Sequence, residues 1–252
     1  MSLRSKLGVR VVKAAKRRGS GVKLSGKGRA HDSTSTSTPD VSPLKHLSDS
    51  DDVLRDMIAS LGPPTRLLEK PRMDAFTTLV RSIVSQQLSM KAAETIFGRV
   101  REHCTCGVAK KVTPKEVLAR DFEELRQLGL SGRKVGYVKD LAEHFESGKL
   151  SDAKLKGMTG EEVMEALTKV RGLGVWSVQM FQMFFMGSEN VLPTGDVAVR
   201  RGCSLLYFDG KVKVTPEQLE EIARPWEPYQ SYGAYYMWQA KRYLEEKQKL
   251  SS

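Results

Sequence analysis

Apolar residues recur at helical spacing along most of the chain from about residue 46 onward. Two clear apolar faces are formed by Phe76, Leu79, Val80, Ile83 and Val84, and by Ala92, Ala93, Ile96, Phe97 and Val100. Residues three and four apart share one side of a helix, whereas a strand alternates apolar and polar residues. No convincing alternating segment occurs in the sequence, so it predicts an all-α protein whose helices are joined by short loops.

Helix-start signals indicate where these helices begin. A threonine followed three residues later by Glu or Gln is a capping box, in which the two side chains accept each other's backbone amides. Such pairs begin at Thr113, Thr159 and Thr215. Ser48, Asp49 or Ser50 is expected to cap the first helix, and the last helix is expected to cover about residues 232–248.

A glycine pair and a lone aspartate are the strongest candidates for chemistry. Gly172 and Gly174 bracket Leu173 between two segments with helical spacing. Glycine allows a tight turn at positive φ, and the helix that follows directs free amides toward an anion. Asp196 ends a short Pro- and Gly-containing loop one helix later. The apolar run that begins at Trp176 predicts a deeply buried helix between them.

The positive charge is concentrated near the N-terminus. Net charge is +11, and residues 1–45 hold 11 Lys and Arg against Asp32 and Asp40. This composition predicts a disordered basic and Ser/Thr-rich tail followed by a globular region over 46–252. We interpret Lys16-Arg17-Arg18 as a nuclear address, although a DNA-binding arm, an organellar transit peptide and a solubilising tail remain alternatives, and a bacterial cytoplasm stays open.

Cysteine content and hydropathy argue against several classes of protein. Three cysteines do not make a disulfide framework, and Cys104-Thr-Cys106 lacks zinc-finger spacing. A four-cysteine iron–sulfur cluster would need one cysteine more. No run of 18 apolar residues is present, so we expect no membrane association.

Five segments stand out by their order and spacing, namely Ile83–Ala93, Leu128–Lys134, Arg171–Trp176, Leu192–Asp196 and Tyr229–Trp238. Together they resemble the helix-hairpin-helix–GPD superfamily of DNA glycosylases, and more narrowly the 3-methyladenine-DNA glycosylase II family. The resemblance covers about residues 46–248. It implies two helical lobes, 79–189 and 46–78 plus 190–252, with a helix-hairpin-helix motif and an active-site cleft between the lobes.

The resemblance implies that the protein hydrolyses the N-glycosidic bond of flipped-out alkylated bases and so starts base excision repair. The expected partner is double-stranded DNA with a damaged base, bound by a monomer that needs no cofactor. Asp196 would be the catalytic residue, although an aspartate before a helix is more often a cap. A carboxylate can stabilise the positive charge that develops on the sugar and orient the attacking water.

The base pocket implied by the resemblance is aromatic. It would contain Trp176, Met180, Tyr235 and Trp238. Aromatic faces attract cationic alkylated bases more than neutral ones. Trp176 stands where strand-cutting relatives keep a Schiff-base lysine, which implies a monofunctional enzyme without a lyase step. Met180 and Val197 stand where some members of the family have aromatic residues, so the range of substrates would differ.

Further residues are implied to contact DNA. The interrupted helix at Gln86-Gln87-Leu88 would enter the duplex, with Gln87 or Leu88 filling the gap left by the flipped nucleotide. Hairpin amides, Ser131 and Lys134 would contact the DNA backbone, although a solvated helix face is the alternative interpretation for Lys134. The amides belong to Gly172, Leu173 and Gly174. We expect no catalytic metal, but a monovalent cation could bind the backbone carbonyls of Thr168, Val170 and Leu173.

Three alternatives accompany this interpretation. A uracil or thymine mismatch glycosylase shares the fold but differs in pocket chemistry. A strand-nicking lyase is disfavoured by Trp176. A noncatalytic helix-hairpin-helix module would bind DNA without any use for Asp196.

Overall fold

The computed structural model describes residues 42–105 and 111–250. The helices in chain order are α1 Pro43–Ser50, α2 Asp52–Leu61, α3 Thr65–Leu68, α4 Ala75–Ser85, α5 Met90–His103, α6 Pro114–Ala119, α7 Phe122–Gln127, α8 Gly132–Glu146, α9 Asp152–Gly157, α10 Gly160–Thr168, α11 Val175–Phe181, α12 Val197–Phe208, α13 Pro216–Ala223, α14 Gln230–Trp238 and α15 Ala240–Lys249. A π-helical turn, Gln182–Met186, extends α11, and a 3₁₀ turn, Arg224–Trp226, follows α13. Within the described ranges no strand forms, which confirms the all-α prediction.

The described chain divides into two compact units. The central unit is Pro64–Val197, and the terminal unit joins the described residues up to Pro63 with those from Ala198 onward. The predicted lobe limits at residues 79 and 189 both fall inside the central unit. The predicted disordered tail, residues 1–45, lies outside the described residues except for its last four positions, where α1 begins.

The apolar faces seen in the sequence form the core of the central unit. Leu79 and Ile83 of α4 are fully buried, as are Val138 and Leu141 of α8 and Leu167 of α10. Complete burial of one such side chain contributes roughly 1.5–3 kcal/mol. The core therefore fixes α4, α8 and α10 as a rigid base for the segments between them.

Most predicted start signals form as expected. Both bonds of the capping box are present at Thr159 and Thr215. The Thr113 side chain accepts the Glu116 amide, but the Glu116 carboxylate lies 3.8 Å from the guanidinium of Arg120. At that position a charged partner replaces the second bond of the box.

Two helix boundaries were predicted wrongly. Ser48, Asp49 and Ser50 lie inside α1, and the residue that caps α2 is Asp51. The expected single helix over 232–248 is broken at Gln239 into α14 and α15. Apolar periodicity continued across each break, so it did not mark either of them.

Asp51 organises the terminal unit. One carboxylate oxygen accepts the amides of Val53 and Leu54 at the start of α2. The other accepts the Tyr207 hydroxyl at 2.8 Å and the Trp226 indole N–H at 3.0 Å. Asp51 is only 2% exposed, so these four donors compensate for the loss of its hydration. One side chain thus joins α2, α12 and the 3₁₀ turn.

Two cysteines are buried free thiols within the described residues, Cys104 and Cys203. Burial raises the pKa of Cys104 to about 11. Burial, with the nearby charge of Asp51, also raises the pKa of Cys203. Because the thiolate is the reactive form, both side chains are inert packing residues at neutral pH.

Candidate active site

Asp196 ends a tight turn directly before α12. Its amide donates to the Pro193 carbonyl at 2.9 Å, and the Thr194 amide donates to the Leu192 carbonyl at 2.9 Å. The Asp196 side chain is 8% exposed. One of its carboxylate oxygens, Oδ2, accepts the indole N–H of Trp176 at 2.7 Å. The lone acid and the first turn of α11, 20 residues apart in sequence, therefore meet in the central unit.

Trp176 is not deeply buried, contrary to the sequence prediction for this helix. Its side chain is 49% exposed, and that of the preceding Val175 is 57% exposed. The burial begins one residue later at Ser177. α11 begins at the hairpin surface, so its first turn projects outward, which hydrophobicity alone could not indicate. The side-chain Nε2 of Gln179 donates to the Leu192 carbonyl at 3.2 Å, which connects α11 to the Asp196 turn.

The glycine hairpin connects α10 to α11. Gly172 has φ of +86°, and a Cβ at this position would lie 2.3 Å from Cδ2 of Tyr137. The turn therefore requires glycine for its backbone and for the aromatic ring beneath it. Leu173 is buried, whereas Gly174 is exposed and precedes α11 without a side-chain cap.

Asp140 supports the hairpin from α8. Its carboxylate accepts the Arg171 amide at 2.8 Å and the Arg171 Nε at 3.0 Å. The Asp140 side chain is 13% exposed and that of Arg171 is 67% exposed. The carboxylate thus fixes the backbone before Gly172 and leaves the arginine largely in solvent.

The predicted DNA-inserting loop follows α4. Gln86 is partly buried and its Nε2 donates to the Gly172 carbonyl at 2.8 Å. Gln87 has φ of +57°, in the left-handed region that non-glycine residues seldom adopt. Leu88 is 40% exposed and Met90 is 84% exposed. The loop is therefore attached to the hairpin on one side and presents apolar side chains on the other.

Ser131 and Lys134 both have structural contacts. The Ser131 hydroxyl caps α8 by accepting the Lys134 amide at 3.4 Å. The Lys134 ammonium donates to the carbonyls of Val84 and Gln86, both at 2.7 Å. Burial lowers the pKa of Lys134. Contact of either side chain with DNA remains a prediction.

The other predicted pocket residues are divided between the two units. Met180 is partly buried on α11 of the central unit. Tyr235 and Trp238 lie on α14 of the terminal unit and are also partly buried. Their membership of one base pocket remains a prediction. The neighbouring Tyr236 is structural, since its hydroxyl donates to the Gly62 carbonyl at 2.8 Å and burial raises its pKa to about 12.

The predicted site for a monovalent cation consists of backbone carbonyls. Among the described residues, no group of three or more His, Cys, Asp and Glu side chains could hold a metal ion. The Val170 carbonyl accepts the Leu173 amide at 3.2 Å, and Thr168 is the last residue of α10. Carbonyls at a helix C-terminus lack intrahelical partners and carry partial negative charge, so their chemistry fits a hard monovalent cation.

Sequence reasoning missed three supporting residues, namely Tyr137, Asp140 and Asp51. The first two lie on α8 at helical spacing, and neither forms part of a recognisable motif. Their partners Gly172 and Arg171 are more than 30 residues away. No local signal identifies such contacts. They arise only when α8 packs beneath the hairpin.

Comparisons with known proteins show the family of the chain. Residues 80–228 match a family described as "HhH-GPD superfamily base excision DNA repair protein". DNA-3-methyladenine glycosylase 1 of Schizosaccharomyces pombe is 31% identical over 202 residues, covering 78% of this chain and 86% of the relative. No described helix is long and apolar enough to cross a membrane.

Solved structures show the same similarity. The 3-methyladenine DNA glycosylase of S. pombe in complex with abasic DNA gives a TM-score of 0.69 at 28% identity, covering 79% of this chain and 96% of that one. The DNA-3-methyladenine glycosidase of Bacillus halodurans gives a TM-score of 0.70 at 36% identity, covering 82% and 93%.

Proposed function

We propose that this chain, which belongs to the HhH-GPD superfamily of base excision DNA repair proteins, is a monofunctional DNA-3-methyladenine glycosylase. The protein is a DNA glycosylase that binds duplex DNA, and its relatives named for 3-methyladenine support alkylated bases as substrates. It acts as a monomer on a lesion rotated out of the stack.

The observation that carries the catalytic part of the proposal is the hydrogen bond between Trp176 and Asp196. The indole N–H engages Oδ2, so the carboxylate is held in one orientation. In this proposal the carboxylate acts on the sugar, where it stabilises the oxocarbenium-like charge and orients the attacking water. A cationic 3-methyladenine leaves readily, so a second acid is not required.

The residue at position 176 supports a reaction without strand cleavage. A lyase step needs an amine that attacks the sugar and forms a Schiff base. The hairpin position at which such relatives keep lysine is Trp176, and its ring nitrogen is not nucleophilic. Borohydride should therefore trap no covalent complex with DNA, and a trapped adduct would refute the monofunctional assignment.

The glycine hairpin and the loop after α4 bind the DNA in this proposal. Gly174 is exposed and lacks a Cβ, so a phosphate can approach the peptide amides around it. Leu88 is exposed beside Gln87 and provides an apolar surface that can replace a flipped base. These contacts hold the register of the duplex and do not read its sequence.

Asp196→Asn is the decisive test. The amide keeps the shape of the side chain but removes its negative charge, so excision of 3-methyladenine from alkylated duplex DNA should fall at least 100-fold. Binding to DNA with an abasic-site analogue should persist. Asp209→Asn is the matched control, since Asp209 is exposed at φ +53°, a conformation that asparagine accepts.

The outcomes separate the alternatives. Excision at the wild-type rate by Asp196→Asn would remove that residue from catalysis. Release of uracil rather than 3-methyladenine by the wild type would favour a mismatch glycosylase. DNA binding with no release of any base would indicate a noncatalytic module.

Localisation of the protein in the nucleus is also part of this proposal. It rests on Lys16-Arg17-Arg18, which lie outside the described residues. Replacing these three residues by alanine in a fluorescent fusion should abolish nuclear accumulation. Unchanged accumulation would refute this address.

A further inference from the structure

The end of α4 is hydrogen-bonded with unusual completeness. The last carbonyls of a helix have no intrahelical partners, and water usually satisfies those that are exposed. Here the four consecutive carbonyls of residues 83–86 each accept a bond from protein. Two accept amides of the turn itself, at 3.3 and 3.2 Å. The other two, those of Val84 and Gln86, accept the Lys134 ammonium.

Lys134 reaches this turn from the first turn of α8. Its own amide is held by the Ser131 cap, so the base of the side chain is fixed. Its positive charge lies at the C-terminal, negative end of the α4 dipole, where a cation is stabilised. The ammonium retains these contacts although burial lowers the pKa of Lys134.

Gln86 attaches the same turn to the glycine hairpin. Its side-chain amide donates to the Gly172 carbonyl, 86 residues away in sequence. Gly172 itself rests on the Tyr137 ring of α8. The loop 86–89 is therefore linked to α8 twice, once through Lys134 and once through the hairpin.

The strained residue of the loop lies directly after these two anchors. Gln87 adopts φ of +57°, and such a conformation persists only where the surroundings determine it. Leu88 follows with its side chain partly in solvent. Lys134 and Gln86 thus hold the inner side of the loop, and Leu88 lies on its exposed side.

We propose that Lys134 and Gln86 are positioning residues that fix the loop 86–89 before it enters duplex DNA, and that neither takes part in bond cleavage. This inference rests on the proposed function. It differs from the sequence-based expectation for Lys134, which was contact with the DNA backbone.

The physical reason is the entropy of ordering the loop. A flexible loop must be ordered at the moment of insertion, which disfavours binding, whereas a preset loop has lost that freedom on folding. The advantage exists only where a base has to be displaced from a stack. A lesion in single-stranded DNA is already unstacked, so loop order should have little effect on its excision.

The test compares one lesion in duplex and in single-stranded DNA. Lys134→Met keeps the length of the side chain and removes the donors. Its single-turnover excision rate should fall about 10-fold or more on the duplex and change less than about 2-fold on the single strand. Lys134→Arg should restore most of the duplex rate. Lys139→Met, a lysine change on the same helix, should alter neither rate.

Binding provides a readout that does not depend on catalysis. Affinity for duplex DNA with an abasic-site analogue should fall about 10-fold in Lys134→Met, whereas affinity for the same single strand should not change. Gln86→Met removes only the hydrogen bond to the hairpin, and it should lower the excision rate and the affinity on duplex DNA more than on the single strand. This variant replaces Lys134→Met in the test if Lys134→Met fails to fold.

Each result has a definite meaning. Equal losses on both DNA forms would overturn the proposal, because they indicate a role in chemistry or in folding. So would unchanged rates and affinities on both forms. If the wild type binds duplex DNA but releases no base, the proposed function fails, and the ratio of affinities still decides the role of Lys134.

Discussion

Gly172→Ala tests the hairpin geometry on which the site depends. Gly172 has φ of +86°, which adds about 1–2 kcal/mol for a residue with a Cβ. The new methyl group would also lie 2.3 and 2.4 Å from two atoms of the Tyr137 ring. Displacing a packed ring adds about 1–3 kcal/mol. The expected loss in the free energy of unfolding is therefore about 2–5 kcal/mol.

Thermal unfolding followed by circular dichroism measures this loss. At roughly 2–4 °C per kcal/mol for a chain of this size, Tm should fall by on the order of 10 °C. In a Tyr137→Ala background the ring is gone and only the Cβ of residue 137 remains, 2.9 Å from the new methyl group. The same glycine change should then lower stability by less, about 1–3 kcal/mol. An equal loss in both backgrounds would refute the contact with Tyr137.

Gly174→Ala is the matched control on the same hairpin. Gly174 has φ of −94°, and nothing lies within 4 Å of a Cβ at this position. Alanine at this N-cap should cost about 0.5–1 kcal/mol. Its methyl group would, however, project from the exposed surface proposed to meet a phosphate, so the Kd for duplex DNA should rise. A Gly172→Ala variant no less stable than Gly174→Ala would show the reasoning to be wrong.

Three further predictions follow from single contacts. Trp176→Phe keeps an aromatic ring but removes the donor to Asp196, so excision should slow about 10-fold or more with little change in Tm; an unchanged rate would contradict the orienting role. Asp51→Ala leaves the buried Tyr207 hydroxyl without this acceptor, so the free energy of unfolding should fall by about 3 kcal/mol or more. Urea titration measures this loss, and an effect below about 1 kcal/mol would contradict the role of Asp51. Burial raises the pKa of Tyr236 in the folded protein to about 12, so the stabilisation from its neutral hydroxyl is present below pH 10 and declines between about pH 10 and 12. Tyr236→Phe should therefore make the free energy of unfolding less sensitive to pH in that window. A pH profile identical to that of the wild type would argue against the shift.

The sequence by itself determined the helical content and the parts of the site that depend on local interactions. Apolar spacing placed α4 and α8, and capping pairs placed the starts of α10 and α13. Each of these signals acts within about one helical turn. The glycine pair and Asp196 were also selected as candidates from sequence, because both follow a recognisable break in periodicity, and their roles in the site stay predictions.

Only the tertiary structure decided how these parts support one another. Trp176 is half exposed and donates to Asp196 because the loop carrying the acid returns to the start of α11. The Lys134 ammonium donates to two carbonyls at the end of α4, about 50 residues away, and no local pattern in the sequence indicates these bonds. The hydrophobic effect that drives packing has no direction and no sequence range, so a linear pattern can show which faces are buried but not which polar groups their packing brings together.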